Sequence, residues 1–149
     1  MDMRAVVTRV SRASVEIEGA VAGRIDAGFL VLLGIRKSDT EKDAKKLAAK
    51  VCNLRVFGDD KGKMNLDLKT AGGSLLIISQ FTLYADCKSR RPGFTDAARP
   101  DVAIPLYGLF IDECEKAGLH VETGSFGAEM AVISVNEGPV TIIIDTEEI

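Results

Sequence analysis

The stretch LLIISQFTL, residues 75–83, decides how the rest of the chain is organised. Its first four residues are apolar on both faces of an extended chain, and this pattern predicts a buried strand. Ser79, Gln80 and Thr82 bring polar side chains to the point where the apolar run stops. Residues at the end of a core strand are held by a rigid scaffold, where binding and catalytic groups are common. The stretch therefore predicts a core strand that ends in a candidate functional segment.

A second stretch, GPVT at residues 138–141, precedes the apolar residues 142–144, which predict another strand. A peptide bond before proline is the only common setting for the cis form. A cis bond between Gly138 and Pro139 would turn the chain sharply and point two carbonyl groups outward. We therefore treat GPVT as the second candidate functional segment.

Apolar periodicity predicts about eight strands and two helices. The predicted strands cover residues 5–10, 14–18, 21–25, 28–34, 55–57, 75–78, 120–123, 130–135 and 140–145. A turn at residues 136–139 is expected to join the last two. One helix follows a cap at residues 38–40, and the other has Pro105 in its first turn. This order predicts a single α+β domain over residues 1–149, in which a curved, largely antiparallel sheet carries both helices on one side.

Composition and charge exclude several classes of protein. The formal net charge is −3, so broad capture of nucleic acid through many Lys and Arg contacts to phosphate is not expected. A protein that binds only the end of an RNA needs just a few local cations. No apolar run approaches the roughly 20 residues of a membrane span, and no signal peptide is recognisable. The three cysteines are scattered, which predicts reduced thiols in a cytoplasmic protein. DNA and membrane partners are not expected.

The inventory of reactive side chains is small. No His or Cys spacing fits a zinc site and no Gly-rich phosphate loop occurs in the sequence, so neither a metal nor a cofactor is expected. His120, the one histidine, follows a predicted helix and is interpreted as a surface residue. Ser79 and Thr82 offer hydroxyls, but an unactivated threonine is a poor nucleophile at neutral pH. Main-chain N–H groups around Phe81 and Thr82 are the alternative means of stabilising a developing negative charge.

Six motifs in the chain resemble those of one family. They are RVSRASVEIEG at residues 9–19, GKMNL at 62–66, SQFTL at 79–83, RPGF at 91–94, ETGSFGAEM at 122–130 and NEGPVT at 136–141. In this order they are similar to the motifs of the D-aminoacyl-tRNA deacylases, dimeric ester hydrolases that remove wrongly attached D-amino acids, and glycine, from tRNA. The resemblance covers essentially the whole chain. It implies a barrel-like sheet and a homodimer with the active site at the subunit interface.

The resemblance also implies where the chemistry takes place. The catalytic segment implied by it consists of Ser79, Gln80, Phe81 and Thr82. This segment would act mainly through backbone atoms, while the 2′-hydroxyl of the terminal adenosine of the tRNA activates the reaction. Phe126 and Met130 would line the substrate pocket.

The second segment is implied to discriminate handedness. Gly138 and Pro139, followed by Val140 and Thr141, would reach from one subunit into the active site of its partner, with Arg9 steadying the loop. A rigid carbonyl group close to the α-carbon leaves no room for an L side chain, whereas D-residues and glycine fit. The implied substrates are D-aminoacyl-tRNA and glycyl-tRNA mischarged on tRNA(Ala), bound through the 3′ acceptor end.

Two other functions stay open at this point. A small-molecule esterase could use Thr82 or Ser79 as its nucleophile, and a non-catalytic dimer could bind tRNA ends.

Lys88, Arg90 and Arg91 form a local basic patch. This patch either contacts phosphates near the acceptor end or serves solubility alone.

Overall fold

One long strand, β1 (Arg4–Ile17), organises the computed structural model, which describes residues 2–149. β1 pairs antiparallel with β2 (Ala20–Ile25) and β3 (Gly28–Gly34) along one edge. Its other edge pairs antiparallel with the last strand, β8 (Ala131–Asp145). The prediction of two separate strands within residues 5–18 is therefore wrong. Pairing with β8 continues through the polar residues between them, so the chain stays extended.

The remaining strands extend the sheet beyond β3. A small two-stranded sheet, β4 (Phe57–Gly58) with β5 (Met64–Leu66), lies apart. β6 (Ser74–Ser79) runs parallel to β3 on one side and to β7 (Val121–Thr123) on the other. The main sheet thus has the order β2-β1-β3-β6-β7, with β8 on the free edge of β1.

The main sheet curls until its two ends approach each other. Gly23 of β2 lies so close to β7 that a Cβ at this position would be 2.6 Å from the main-chain oxygen of Thr123. Residues 2–149 contain eight strands and two α-helices. The predicted α+β fold with a barrel-like sheet is therefore confirmed, although the parallel pairing of β6 makes the sheet mixed.

Both helices lie on one face of the sheet and pack against each other. Helix α1 (Glu41–Asn53) begins after Thr40, whose main-chain N–H donates to Asp43 Oδ2 at 2.9 Å. Helix α2 (Pro100–Lys116) begins with Pro100, five residues before Pro105. The expectation that Pro105 lies in the first turn is wrong, because the first turn belongs to Pro100, where a missing N–H leaves no bond unmade. Pro105 lies inside the helix with its ring exposed.

β6 is buried on both faces, as its unbroken apolar run predicts. Leu75 and Ile77 face the helices and belong to the larger core. Leu76 and Ile78 face the interior of the curled sheet and pack there with residues of β1, β2 and β3. The strand is therefore fixed from both sides, and its last residue, Ser79, is held rigidly at the edge of the core.

β8 continues through residues 136–139, so the predicted turn is wrong. Thr141 pairs with Thr8 and Asn136 pairs with Val10, which leaves four residues of β8 opposite Arg9 alone. Such an excess on one strand is a bulge, which bends the strand without reversing it. Both halves of β8 run in the same direction because β1 is long enough to pair with each of them.

None of the helices within residues 2–149 has the length and apolar character needed to cross a bilayer.

The first pair of the β3–β6 ladder requires glycine. A Cβ on Gly28 would collide with the main-chain oxygen of Ser74 and lie 2.7 Å from its nitrogen. We expect Gly28→Ala to lower the free energy of unfolding by about 3 kcal/mol, because backbone cannot move aside as a side chain can. Urea denaturation measures this loss. Gly58→Ala is the matched control, since a Cβ there meets no atom within 4 Å; equal losses for the two variants would contradict this account of the ladder.

Candidate active site

The segment after β6 makes a tight turn at the surface. The N–H of Gln80 donates to the Leu33 carbonyl at 2.8 Å and so ends the ladder with β3. A 3-10 turn, Phe81–Tyr84, follows directly. The first N–H groups of a helical turn have no acceptor within it, so those of Phe81 and Thr82 are available to a ligand. The side chain of Phe81 is 54% exposed, which is unusual for phenylalanine.

Tyr84 anchors the far end of this turn. Its side chain is buried and its hydroxyl donates to the main-chain oxygen of Asp2. The guanidinium groups of Arg4 and Arg36 lie 5.2 Å and 5.4 Å from its ring centre. Arg4 also donates to the Leu83 carbonyl at 3.0 Å. The turn is therefore fixed at both ends while its first two residues stay exposed.

A cavity of about 540 Å³ opens beside Phe81. Its size lies within the range of small-molecule sites. Four parts of the chain line it: the residue after β3, the end of β6 with the following residues, the segment before and at the start of α2, and the segment that leads into β8 with the start of that strand. The lining residues are Ile35, Ile78, Ser79, Gln80, Phe81, Phe94, Ala97, Ala98, Pro100, Ala103, Phe126, Gly127, Ala128, Met130 and Val132.

The cavity wall formed by this chain carries no ionisable side chain among the described residues. Its polar groups are main-chain atoms and the side chains of Ser79 and Gln80. His120 lies elsewhere, largely exposed and 2.6 Å from Glu122 through its Nε2 atom. Thr82 does not line the cavity, and its hydroxyl accepts a hydrogen bond from Gln80 Nε2. Any chemistry at this wall therefore depends on main-chain groups or on groups that a substrate brings.

Phe126 and Met130 also line the cavity. The ring of Phe126 lies 6.0 Å from that of Tyr107 on α2. Burial raises the pKa of Tyr107 to about 12, so its hydroxyl stays protonated and donates to the Ile77 carbonyl at 2.7 Å. This bond ties α2 to β6. Phe126 is therefore linked through Tyr107 to the strand that ends at the cavity.

Arg9 holds the bulge of β8. Its Nη1 donates to the Val56 carbonyl at 2.6 Å and its Nε to the Glu137 carbonyl at 3.3 Å. A Cβ on Gly138 would lie 3.0 Å from both Arg9 Nη2 and the main-chain nitrogen of Val140, and its φ of +121° is a conformation that L side chains rarely adopt, so this position favours glycine. The Gly138–Pro139 peptide bond is cis, and both residues are exposed.

Val140 and Thr141 end the bulge. Val140 packs against the larger core, and Thr141 resumes the ladder by pairing with Thr8. The bulge is thus fixed on both sides: by Arg9 before it and by the ladder after it.

Comparison with known proteins identifies the family. A model of the family described as D-Tyr-tRNA(Tyr) deacylase matches residues 6–145. The chain belongs to this family.

Individual deacylases are similar over their full length. The D-aminoacyl-tRNA deacylase of Thermus aquaticus is 56% identical over 147 residues, which cover 98% of this chain and 97% of that protein. The D-aminoacyl-tRNA deacylase of Thermosipho africanus is 53% identical over 148 residues, 99% of each chain. The expectation of a hydrolase of this family is confirmed.

Solved structures agree with this assignment. The structure described as the c-Myc DNA unwinding element binding protein superposes with a TM-score of 0.89 at 39% identity, over 95% of this chain and 97% of that one. A probable eukaryotic D-amino acid tRNA deacylase superposes with a TM-score of 0.84 at 17% identity, over 97% of this chain and 100% of that one, and supports the fold alone.

In this deacylase the residues expected at the site fall into two groups. Ser79, Gln80, Phe81, Phe126 and Met130 line one cavity, with Thr82 beside them. Arg9 and residues 138–141 lie on the bulge of β8, and none of them lines that cavity. Within one chain the two candidate segments therefore do not form one site.

One wall of the deacylase cavity lies in the irregular segment of residues 84–99, a long loop typical of a substrate rim, but none of its residues was predicted individually to line the cavity. Phe94 lines it and packs edge-on against Phe81, with ring centres 5.2 Å apart. Ala97 and Ala98 follow, and the Ala98 N–H donates to the Ile35 carbonyl at 2.9 Å. The RPGF motif was the signal in the sequence, since it placed an aromatic residue in an otherwise polar loop.

Proposed function

We propose that this protein hydrolyses the ester bond of D-aminoacyl-tRNA and releases the free D-amino acid and tRNA. Membership of the family supports the reaction class. The observation that carries the proposal is a cavity of about 540 Å³ at the end of β6, whose lining residues have no ionisable side chain and include Phe81, the first residue of the 3-10 turn. The 149 residues act as a single domain in this proposal, in the cytoplasm, where aminoacyl-tRNA occurs.

The main-chain N–H groups of Phe81 and Thr82 bind the oxygen of the ester carbonyl. As water adds to the carbonyl carbon, negative charge develops on that oxygen, and donors already aimed at it stabilise the transition state. The 2′-hydroxyl of the terminal adenosine lies beside the esterified oxygen and activates the attacking water. Ser79 and Gln80 fix the segment that carries the donors. This mechanism requires no metal ion and no cofactor.

A second copy of the chain completes the site. β8 exposes Val132, Ile133, Val135 and Ile143, by 39% to 67%. An edge strand with exposed apolar side chains is typical of a protein interface. Val132 also lines the cavity, so a partner that covers β8 lies next to the cavity mouth. We propose a homodimer in which the bulge of each chain reaches the cavity of the other.

The Gly138–Pro139 bulge then discriminates handedness. Its main-chain carbonyls form a wall close to the α-carbon of the bound aminoacyl group, where an L side chain would collide. D-Aminoacyl groups and glycine fit beside this wall without a collision, so glycyl-tRNA mischarged on tRNA(Ala) is also a substrate. Arg9 keeps the wall rigid through its bond to the Glu137 carbonyl.

The two alternatives have less support. An esterase with Thr82 as nucleophile needs a base, and the cavity wall within residues 2–149 offers no ionisable side chain. A non-catalytic tRNA-end binder would not need main-chain donors beside the ester carbonyl, but only an activity measurement separates it from the deacylase.

The direct test is incubation of the purified protein with D-Tyr-tRNA and with L-Tyr-tRNA. We expect rapid release of D-tyrosine and release of L-tyrosine only at the uncatalysed rate, because the wall excludes the L side chain. Release is measured as loss of acid-precipitable labelled amino acid. A binder would release neither amino acid, and that result would refute the proposed function.

The role of the main-chain donors is tested at Phe81. Phe81→Pro removes the N–H and the ring, whereas Phe81→Ala removes only the ring, so the pair isolates the donor. Proline fits at the first position of a helical turn, and Gln80 (φ −140°, ψ 85°) lies outside the α region that a following proline disfavours. We expect the proline variant to have a kcat lower than that of the alanine variant by about 10²-fold to 10³-fold.

Thr82→Ala is the companion variant for the hydroxyl. It keeps the N–H, so we expect its kcat on D-Tyr-tRNA to fall by less than about tenfold, the effect of a group that only positions others. Complete inactivity of a correctly folded Thr82→Ala protein would support the covalent esterase instead. Equal rates for the two Phe81 variants would show that its N–H does not bind the carbonyl.

Rigidity of the wall is tested at Arg9. Arg9→Ala loses the bonds to Val56 and Glu137, and we expect the ratio of kcat/KM for D-Tyr-tRNA over L-Tyr-tRNA to fall about tenfold, or about 1.4 kcal/mol. Arg12→Ala, an exposed arginine on the same strand, should keep the ratio of the parent protein. Faster amide exchange at residues 137–140 without any change in the ratio would contradict the rigid wall.

A further inference from the structure

Residues 86–93 form a closed hairpin, here called the basic hairpin. The N–H of Asp86 donates to the Gly93 carbonyl at 2.7 Å, and the N–H of Gly93 donates back at 2.9 Å. Inside it, the N–H of Lys88 donates to Asp86 Oδ1 at 3.0 Å, and Ser89 Oγ donates to the Arg91 carbonyl at 2.8 Å. Its tip is therefore ordered by its own hydrogen bonds, although every residue from 86 to 92 is exposed.

The hairpin carries three cations that the chain does not neutralise. Lys88, Arg90 and Arg91 form no ion pair with any carboxylate of the described residues. The nearest acidic residues in the sequence are engaged elsewhere: Asp86 accepts the hairpin's own N–H, and Asp96 lies 3.3 Å from Arg36 Nη2. In a chain of net charge −3, this is a local concentration of positive charge without internal partners.

The basic hairpin leads directly into the segment that lines the cavity. Phe94 follows its last residue directly, lines the cavity and packs against Phe81, which carries one of the proposed main-chain donors. Beyond Phe94, the N–H of Lys37 donates to the Asp96 carbonyl at 3.0 Å, and the N–H of Ala98 donates to Ile35. The base of the hairpin is thus fixed relative to the site where the ester binds.

We propose that the basic hairpin binds the phosphates of the nucleotides that immediately precede the esterified adenosine. The inference rests on the proposed function, because the cavity must hold the terminal nucleoside ester for the preceding strand to pass the hairpin. Arginine presents a planar fork of donors that matches phosphate oxygens, and lysine adds a point charge. Unpaired cations on an ordered hairpin bind phosphate without first having to break internal ion pairs.

The hairpin contributes to substrate capture and not to the chemical step. Contacts remote from the reacting ester stabilise the bound substrate and the transition state equally, so they lower KM and leave kcat unchanged. They also make kcat/KM depend on the salt concentration, because each phosphate that is neutralised releases counterions from the RNA. The salt dependence of the rate therefore measures how many cations of the hairpin contact phosphate.

The test compares two double variants with equal loss of charge. Arg90→Gln/Arg91→Gln changes the hairpin, and Lys42→Gln/Lys45→Gln changes exposed lysines of α1. Each protein is assayed on D-Tyr-tRNA over a range of salt concentrations and on 3′-O-D-tyrosyladenosine, which carries the same ester but no phosphate. Binding of uncharged tRNA is measured in parallel by fluorescence anisotropy.

For the hairpin variant we expect KM for D-Tyr-tRNA to rise about tenfold at low salt, with kcat unchanged. The slope of log(kcat/KM) against log[salt] should become shallower by about 1.4, two contacts at about 0.7 each for single-stranded RNA. Affinity for uncharged tRNA should fall in proportion. The lysine variant should match the parent protein throughout, and hydrolysis of 3′-O-D-tyrosyladenosine should be the same for all three.

Two results would overturn the inference. One is a salt slope of the hairpin variant equal to that of the parent, which would mean that the cations serve solubility alone. The other is an equal loss on 3′-O-D-tyrosyladenosine, which would mean that the hairpin shapes the cavity. Should the parent protein hydrolyse neither substrate, the proposed function fails, and the tRNA-binding measurement alone decides the hairpin: weaker binding by its variant supports the phosphate contact, and unchanged binding refutes it.

Discussion

The backbone ladder between β1 and β8 is the constraint on which the rest of the structure depends. β1 pairs with β8 on one edge and with β2 and β3 on the other, so nearly every main-chain polar group along it is satisfied. The ladder is irregular at two neighbouring places: opposite Arg9, where four residues of β8 have no partner residue, and at Ser11, which has no partner on β8. Because pairing resumes on both sides, the bulge has fixed ends. The strand thus presents its exposed bulge at a defined position.

At the proposed site, most of the groups that would act on a ligand are main-chain groups, and few are side chains. β6 is clamped between β3 and β7 and buried on both faces, so the N–H groups that follow it are placed by the sheet and not by flexible side chains. Tyr84 and Arg4 fix the far end of the turn. Main-chain donors held in this way need little reorganisation when charge develops on a ligand. In the proposed mechanism the fold would therefore supply what a set of catalytic side chains supplies in other hydrolases.

Local patterns predicted much of this fold, and long-range pairing explains the errors. β3 was predicted with its observed bounds because an apolar run between two glycines needs no knowledge of its neighbours. The break in β1 and the turn at residues 136–139 were wrong because β1 and β8, more than one hundred residues apart in the chain, pair on both sides of each interruption. Phe94 was not predicted individually to line the cavity for a related reason: its place depends on where residues 94–98 cross Ile35, which no local pattern encodes. Family motifs pointed to both candidate segments, but only coordinates reveal that they lie apart within one chain.

The absence of ionisable side chains from the described cavity wall has a consequence for proton transfer. Side chains that neither gain nor lose protons near neutrality cannot make the rate fall at acidic or at alkaline pH. The pH dependence of the reaction would then reflect the substrate's own ammonium group and the supply of hydroxide. An enzyme built in this way would keep its selectivity during acidification of the cell, because the feature that selects is shape and does not titrate.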